Sequence, residues 1–322
     1  MTGLLDPISM QNQNKNNSFK CTLCICTYQM GDSISKTIES LLCNTNESIE
    51  ILIVDDGSND ETFAICKNFS ENFSRVNYIF LERDPKRKLG ETRNISVAAA
   101  KSEVVVLHID ADDCWGKGIQ EIINFYLYFR FSLNIRKMII GNHLALTSKD
   151  IFWAANGYEN IYRGEDRDFM FRLVKNQDVF FLDHEIIYTR QKRKLKRTFY
   201  KSFKDIWSHS KYDAINSHDL INLVLSSLFL SPKNKSFSLK VKFLRFIFIP
   251  ICLLIFFSKR KKPIITWEKF MRYRSHNRGD AIQLIQKANL KNFIHEERDK
   301  TYEESLSNYP FTVKIRPEGF SI

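Results

Sequence analysis

The chain has 322 residues, of which 43% are apolar and 26% charged, a composition that argues against a disordered chain and for a globular protein with a buried core. Lys and Arg number 48 against 37 Asp and Glu, and the net charge of +11 favours an anionic partner, such as nucleotide phosphates, acidic lipid headgroups or nucleic acid. The seven cysteines are an odd number and follow no apolar leader, so we expect free thiols in a reducing, cytosolic compartment.

The first third of the chain alternates strands and helices, after a polar tail over residues 1–18 that predicts disorder. Apolar runs predict strands at 19–27, 49–54, 76–82 and 104–109, and helical periodicity predicts helices at 33–43, 60–69 and 91–100. This alternation predicts an α/β fold with a doubly wound, mostly parallel sheet. The ends of the first, second and fourth strands should therefore meet at one rim, where such sheets place their ligands.

The chain beyond residue 137 is less regular. Its patterns predict strands at 138–146 and 179–188, with a helix at 165–174 between them. After residue 190 the composition shifts to basic runs that surround an apolar segment at 246–257. We expect three units: the tail (1–18), the α/β domain (19–190) and a basic, apolar and helical C-terminal region (191–322).

The apolar fourth strand breaks abruptly into three carboxylates, Asp110, Asp112 and Asp113. Three negative charges cannot stay bare in a partly buried place, because desolvating each unpaired ion costs several kcal/mol. A cation is therefore expected there. Carboxylates select hard divalent ions, so the segment predicts a site for Mg²⁺ or Mn²⁺.

Other polar residues stand at the same predicted rim. Thr27 and Tyr28 end the first strand, and Asp55 and Asp56 end the second, followed by a glycine that permits a tight turn. Arg93 lies in the helix after the third strand. An Asp-Asp-Gly-Ser segment alone is a common turn, but its combination with the acids after the fourth strand favours a ligand site.

A second carboxylate cluster contains Glu165 and Asp166 at the start of the predicted helix 165–174. Acidic residues at that position can simply compensate the helix dipole. Here they follow a polar, glycine-marked stretch between two strands, and functional sites are often built on such loops.

These segments together resemble the inverting, metal-dependent glycosyltransferases of family 2, which have the GT-A fold. They occur in the family's order over roughly residues 19–190 and do not extend into the C-terminal third. The segments that carry the resemblance are 26–28 (Cys-Thr-Tyr), 53–60 (Ile-Val-Asp-Asp-Gly-Ser-Asn-Asp), 90–94 (Gly-Glu-Thr-Arg-Asn), 107–113 (Leu-His-Ile-Asp-Ala-Asp-Asp) and 164–169 (Gly-Glu-Asp-Arg-Asp-Phe). The resemblance implies the doubly wound sheet of nucleotide-diphospho-sugar transferases, with a helical, basic C-terminal extension.

The resemblance also implies a role for each group of residues. The donor nucleotide would be contacted by Thr27, Tyr28, Asp55 or Asp56, Arg93 and Asp110. Asp112 would ligate the metal, with Asp110 facing the ribose or a metal-bound water and Asp113 as an alternative ligand. Asp166 would be the general base, with Glu165 orienting the acceptor or the base.

The implied reaction moves a sugar from a nucleotide-diphosphate donor, expected to be a UDP-sugar, to a glycan or lipid-linked acceptor. A metal behind the leaving group and a carboxylate behind the acceptor give in-line displacement, which inverts the anomeric centre. One departure from the family is His108, which stands inside the apolar fourth strand and which we interpret as a core histidine.

The apolar segment at 246–257 predicts contact with a membrane surface. As a helix its roughly twelve residues would span about 18 Å, whereas a bilayer core needs about 30 Å. Basic residues flank both ends, so we expect an interfacial segment on an anionic membrane and a peripheral position at its cytoplasmic face. A buried core or oligomer-interface helix and a short transmembrane span remain alternatives.

Two other function classes were weighed against glycosyl transfer. A sugar nucleotidyltransferase-like enzyme would have a phosphate loop rich in glycine and basic residues after the first strand, but residues 27–31 contain one glycine and no basic residue. A non-catalytic nucleotide-sugar-binding scaffold would not need both carboxylate clusters. Nucleic-acid binding would need a basic groove with interleaved aromatic residues, whereas acids gather at the predicted rim, so we expect no nucleic-acid partner.

Overall fold

The structure is a computed structural model that describes residues 19–116, 118–141, 144–161, 164–182 and 188–191, with single positions at 207 and within 247–257 and 269–274. The predicted tail and most of the C-terminal region lie outside the described residues. The helices are α1 (Ile34–Asn44), α2 (Thr62–Asn72), α3 (Leu89–Ala99), α4 (Ile119–Leu127), α5 (Lys149–Ala154) and α6 (Glu165–Asn176), and a π-helical turn (Tyr128–Ser132) follows α4. The strands are β1 (Cys21–Thr27), β2 (Ile49–Asp55), β3 (Val76–Phe80), β4 (Val104–Asp110), β5 (Asp113–Trp115), β6 (Met138–Ile140), β7 (Ala145–Ser148), β8 (Val179–Phe181) and β9 (Tyr188–Arg190).

Seven strands form the main sheet, in the order β3-β2-β1-β4-β7-β6-β8. Strands β1 to β4 run parallel to one another, as alternation with α1, α2 and α3 requires. The fold class is confirmed: the sheet is mostly parallel, has helices on both faces and matches the GT-A arrangement. The carboxyl ends of β1, β2 and β4 meet at one edge, as predicted.

The second half of the sheet corrects two strand predictions. The strand expected at 138–146 is two strands, because the chain turns between β6 and β7, and β7 runs antiparallel to both β6 and β4. The strand expected at 179–188 ends at Phe181, after pairing in parallel with β6. Tyr188–Arg190 is a separate strand, β9, which pairs antiparallel with β5 in a small second sheet.

The main sheet separates two apolar cores. The α1-side core packs residues such as Ile38 and Ile122 from α1 and α4 against one face, and the α3-side core packs Val97, Phe152 and Phe169 from α3, α5 and α6 against the other. All five side chains are fully buried. Burial of each such side chain contributes about 1.5–3 kcal/mol, so the sheet is anchored on both faces and its edge can carry polar groups.

Part of the C-terminal region packs on the α3-side core. The ring of Phe270 is buried, with its centroid 5.1 Å from that of Phe171, and the Tyr273 hydroxyl donates to the carbonyl oxygen of Val179 at 3.0 Å. The described positions within 247–257 are helical, and some expose large apolar side chains, including Ile247 and Ile251. Among the described residues, no helix combines the length and the apolar character that crossing a membrane requires.

Candidate active site

The three acids after the fourth strand converge at the predicted rim. Asp110 ends β4, Asp112 lies in the following turn and Asp113 begins β5. One carboxylate oxygen from each lies within 4.8 Å of the other two, and Asp113 is only 1% exposed. Three hard oxygen ligands at this spacing fit a divalent ion such as Mg²⁺ or Mn²⁺. The structure therefore brings the predicted ligands together, and their metal binding stays a prediction.

The turn that carries these acids is held by residues that the sequence did not single out. The hydroxyls of Ser33 and Thr37 both donate to the carbonyl oxygen of Ala111, each at 3.0 Å. The backbone N–H of Gln191 donates to the carbonyl oxygen of Asp112 at 2.8 Å, and its side-chain amide donates to the carbonyl oxygen of Ser33 at 3.1 Å. The only available signal was two polar residues on the buried face of α1, because nothing in the sequence links position 191 to this turn.

Asp55 and Asp56 have different surroundings although they are adjacent. Asp55 is fully buried, and its carboxylate accepts hydrogen bonds from the Ser58 backbone N–H and hydroxyl, at 2.9 and 2.6 Å, and from the Tyr78 hydroxyl at 2.9 Å. Burial, reinforced by the hydrogen bond to Asp55, raises the pKa of Tyr78. Because Gly57 has φ +79°, the chain can fold back so that Ser58 reaches Asp55. Asp55 thus shapes the turn.

Asp56 instead faces two guanidinium groups. Arg87 Nε lies 2.6 Å from Asp56 Oδ1, and Arg83 pairs with the other carboxylate oxygen. The Arg83 guanidinium also lies over the Tyr28 ring, 4.4 Å from its centroid. Neither arginine was predicted as a site residue, although the basic stretch between β3 and α3 was a usable signal. Together they put positive charge and an aromatic face beside the rim.

Thr27 carries an unsatisfied polar atom at this edge. The residue is buried, and its hydroxyl oxygen has no hydrogen-bond partner among the residues that the structure describes. Buried hydroxyls almost always have a partner, so an unpaired one at a sheet edge indicates a place where a ligand or water completes the site. The predicted nucleotide contact of Thr27 is compatible with this position.

Arg93 connects the two predicted carboxylate clusters. Its guanidinium lies 2.9 Å from Glu165 and 3.8 Å from Asp110, and it lies 5.6 Å from the centroid of the Tyr158 ring. Burial lowers the pKa of the Arg93 guanidinium, but the negative charges of Glu165 and Asp110 outweigh burial and hold that pKa above the usual range. Glu165 itself is buried, so this ion pair has little competition from water.

Helix α3 also contacts the loop that precedes α6. A Cβ added to Gly90 would lie 1.9 Å from the carbonyl oxygen of Glu159, so only glycine allows this approach. The Asn94 side-chain amide donates to the carbonyl oxygen of Tyr158 and accepts from its N–H, both at 2.8 Å. The segment 90–94 therefore places Arg93 and fixes the loop that leads to Glu165 and Asp166.

Asp166 lies in the first turn of α6. Burial raises the pKa of its carboxyl, but His108, Arg93 and the backbone N–H of Arg167 outweigh it and hold that pKa below the usual range. The carboxylate is therefore ionised at neutral pH, as a proton acceptor must be. Glu165, one residue earlier, is the buried partner of Arg93.

His108 lines a cavity together with Arg93 and Asp110, which corrects its interpretation as a core histidine. Its Nε2 lies 2.8 Å from the Tyr158 hydroxyl, and burial together with Arg93 lowers its pKa to about 4, so the ring is neutral at pH 7. The cavity is lined by Cys24, Cys26, Leu89, Arg93, Ser96, Leu107, His108, Ile109 and Asp110. The three cysteines of β1 are described as free thiols, as expected.

The first part of the chain is similar to known glycosyltransferases. Residues 22–142 match the model of "Glycosyl transferase family 2". The chain is 28% identical over 123 residues to the glycosyltransferase GlyG of Streptococcus pneumoniae, covering 38% of each chain. It is 32% identical over 94 residues to WfaP of Escherichia coli, a UDP-Glc:alpha-D-GlcNAc-diphosphoundecaprenol beta-1,3-glucosyltransferase, covering 29% of this chain and 36% of WfaP. The chain therefore spans under two fifths of the length of either relative.

The fold has a counterpart among solved structures. The crystal structure of S. aureus TarS 1–349 in complex with UDP-GlcNAc matches with a TM-score of 0.54, covering 85% of this chain and 92% of that chain. Identity over this match is 15%, so it supports the arrangement of helices and strands and not the individual site residues.

Proposed function

We propose that the chain is an inverting family 2 glycosyltransferase that uses a UDP-sugar, because residues 22–142 match the model of that family and the chain has the GT-A fold. The acceptor in this proposal is a hydroxyl of a glycan or a lipid-linked glycan. One observation carries the proposal: the Arg93 guanidinium lies 3.8 Å from Asp110 and 2.9 Å from Glu165. It therefore joins the acids after β4 and the acids of α6 in one site.

The donor side of the proposed site is the edge formed by β1, β2 and β4. A nucleoside would meet hydrogen-bonding groups and an aromatic surface here, namely the Thr27 hydroxyl, the Asp56 carboxylate and the Tyr28 ring. Of the two adjacent acids we favour Asp56, because the Asp55 carboxylate is buried and is held by Ser58 and Tyr78. The phosphates of such a donor would face the guanidinium groups of Arg83 and Arg87, which lie beside Asp56.

The metal side of the proposed site is the cluster Asp110, Asp112 and Asp113. We propose Asp112 as the main ligand, because it lies in the turn whose backbone is fixed by α1 and Gln191. Asp110 would face the ribose or a bound water. A Mn²⁺ or Mg²⁺ ion held there would neutralise the charge that develops on the departing diphosphate.

On the acceptor side, Asp166 would accept the proton of the attacking hydroxyl. Its carboxyl pKa lies below the usual range, so it stays ionised and able to act as a base. Such a base contributes roughly 10²–10⁴-fold to the rate. With the base and the leaving group on opposite sides of the anomeric carbon, displacement inverts that centre. Glu165 would orient this region through its bond to Arg93.

A lipid-linked acceptor and a peripheral position at the cytoplasmic face of a membrane are part of the same proposal. The relative WfaP is named for a diphosphoundecaprenol-linked substrate. In this chain, the described positions within 247–257 are helical and expose apolar side chains such as Ile247 and Ile251, and Lys and Arg flank that segment in the sequence. Exposed apolar groups with basic neighbours suit an anionic lipid surface.

The test compares D166N with D112A in the full-length chain, using UDP-glucose, UDP-galactose and UDP-N-acetylglucosamine with Mn²⁺ as probes. Hydrolysis of the sugar nucleotide and calorimetric binding of UDP are both measured. D166N should bind UDP as the wild type does and lose about 10²–10⁴-fold in turnover, because only the proton acceptor is gone. D112A should lose the Mn²⁺-dependent part of UDP binding.

A matched control is D168N, which removes a carboxylate from the same turn of α6. Asp168 pairs with Arg172 at 2.8 Å, so D168N should keep its turnover. A wild-type rate in D166N excludes Asp166 as the base. Absence of Mn²⁺-dependent binding for all three probes in the wild type excludes the UDP-sugar proposal.

A further inference from the structure

Strand β4 changes face before its last residue. A regular strand sends alternate side chains to opposite faces. Val104 and Val106 lie in the α1-side core and Val105 and Leu107 lie in the α3-side core, as this period requires. Continued regularly, the strand would send residue 110 into the α1-side core. Instead Ile109 occupies that core.

The pairing with β1 locates the irregularity. Leu23 is opposite Val106 and Ile25 is opposite Ile109, so two steps along β1 correspond to three steps along β4. The extra residue makes a β-bulge, and within it His108 has φ +66°. Beyond the bulge Asp110 pairs with Cys26, whose side chain lines the cavity on the α3 side.

Contacts from the second half of the chain hold this bulge. His108 Nε2 lies 2.8 Å from the hydroxyl of Tyr158. Tyr158 is buried, its backbone is held at both polar groups by Asn94, and its ring packs 4.8 Å from that of Phe169. The residue at the bulge is therefore tied to a rigid part of the α3-side core.

We propose that the one-residue bulge at His108, held by Tyr158, turns Asp110 from the α1-side core to the cavity, where it can meet Arg93 and the metal cluster. His108 is then a positioning residue. It acts through the backbone of β4 and through Tyr158. The consequence for ligand binding rests on the proposed function, whereas the orientation of Asp110 does not.

The test uses three substitutions that separate the bulge from the imidazole. H108V introduces a β-branched residue, for which a positive φ is a genuine outlier, so the bulge should shift and Asp110 should leave the cavity. H108N tolerates the left-handed region. Y158F removes the hydroxyl and keeps the ring. Mn²⁺ affinity of the folded protein, measured by electron paramagnetic resonance without donor, is the first readout, and urea unfolding of each variant is the second.

H108V should weaken Mn²⁺ binding by about tenfold or more, a change that corresponds to 1.4 kcal/mol. H108N should restore binding to within about threefold of the wild type, and Y158F, which loses the same hydrogen bond and keeps the histidine, should be no weaker than H108N. A fully folded H108V with wild-type Mn²⁺ affinity overturns the inference. So does an H108N that is as weak as H108V, because the imidazole would then matter and the bulge would not.

A metal-independent measurement separates this inference from the proposed function. If H108V removes Asp110 from Arg93, then D110N should change the unfolding midpoint of the wild type and have little further effect in H108V. Strict additivity of the two substitutions overturns the inference. If the wild type binds no Mn²⁺ but the two substitutions are coupled, the metal role fails and the positioning role of His108 stands.

Discussion

The parallel half of the sheet, β1 to β4, places its site residues differently from the half that contains β6, β7, β8 and α6. In the parallel half, Thr27, Asp55 and Asp110 are the last residues of strands that end at one edge, so parallel strand pairing brings these residues together. In the other half, Glu165 and Asp166 lie at the start of α6. The strands of this half, β6, β7 and β8, are short and partly antiparallel. The position of Glu165 and Asp166 relative to the edge depends on a few side-chain contacts made by α3.

This difference teaches where each half is vulnerable. Repeated backbone pairing spreads the cost of a substitution over many bonds, whereas Gly90, Arg93 and Asn94 hold Glu165 and the loop before α6 through individual contacts. Substitutions at these contacts should displace the acids of α6 while leaving β1 to β4 folded. Three predictions test that view, in order of decreasing effect.

The largest effect should come from R93M, which removes the guanidinium that lies 2.9 Å from the buried Glu165 carboxylate. Breaking a buried pair on one side costs roughly 3–5 kcal/mol, because the remaining charge is uncompensated. Urea unfolding followed by circular dichroism measures this loss. The double variant R93M/E165M should recover much of it, since an apolar pair of similar volume is often neutral. A loss below about 1 kcal/mol in R93M would show that this pair does not join the halves.

A smaller effect is expected for G90A. The new Cβ would lie 1.9 Å from the carbonyl oxygen of Glu159, so the loop before α6 must move, at a cost of about 1–3 kcal/mol. Thermal unfolding gives the stability change, and proteolysis rates report loosening of the 155–161 loop. G31A is the matched control, because its nearest neighbour would be the Glu61 side chain at 3.1 Å. Equal losses in both variants would contradict a special role for the approach at Gly90.

The smallest effect is expected for D150N, which should change how stability depends on pH in the half outside the parallel strands. Burial raises the pKa of Asp150, but the Ser148 hydroxyl, the Ile151 N–H and the guanidinium groups of Arg130 and Arg136 hold it below its usual range. A carboxylate with a lowered folded pKa contributes stability above its unfolded pKa of about 3.9, and this stability is lost as pH falls through the folded value. Stability measured between pH 7 and pH 3 should therefore fall less steeply in D150N than in the wild type. Parallel slopes would exclude this contribution.

The regular half of the molecule could be predicted from the sequence, and the irregular half only in part. Apolar runs indicated β1 to β4, and the alternation of these strands with helices indicated a parallel sheet with the edge where Thr27 and Asp110 lie. The reversal between β6 and β7 left no comparable trace in the apolar run 138–146. The direction of a strand depends on its partner strands, which can be distant in the sequence.

The finer errors have the same origin. A constant period assigns a face to every residue of β4, so the extra residue at His108 was invisible, and a polar residue in an apolar strand was its only sign. Asp55 and Asp56 look equivalent in the sequence, but one is enclosed by Tyr78 and the other faces Arg83. The role of each acid therefore depends on which side chains from distant parts of the sequence pack beside it.

The contact of Gln191 with the acidic turn has a consequence for the order in which the protein can be completed. Its amide reaches Ser33 across a sequence separation of 158 residues. When the ribosome has synthesised the chain as far as residue 142, Asp110, Asp112 and Asp113 are already present. Gln191, which contacts their turn, is not yet present. Contacts of such long range form late and slow the search for the native state. At about 5–20 residues per second, a nascent chain therefore carries these acids for about 4–16 s of synthesis before Gln191 can contact their turn.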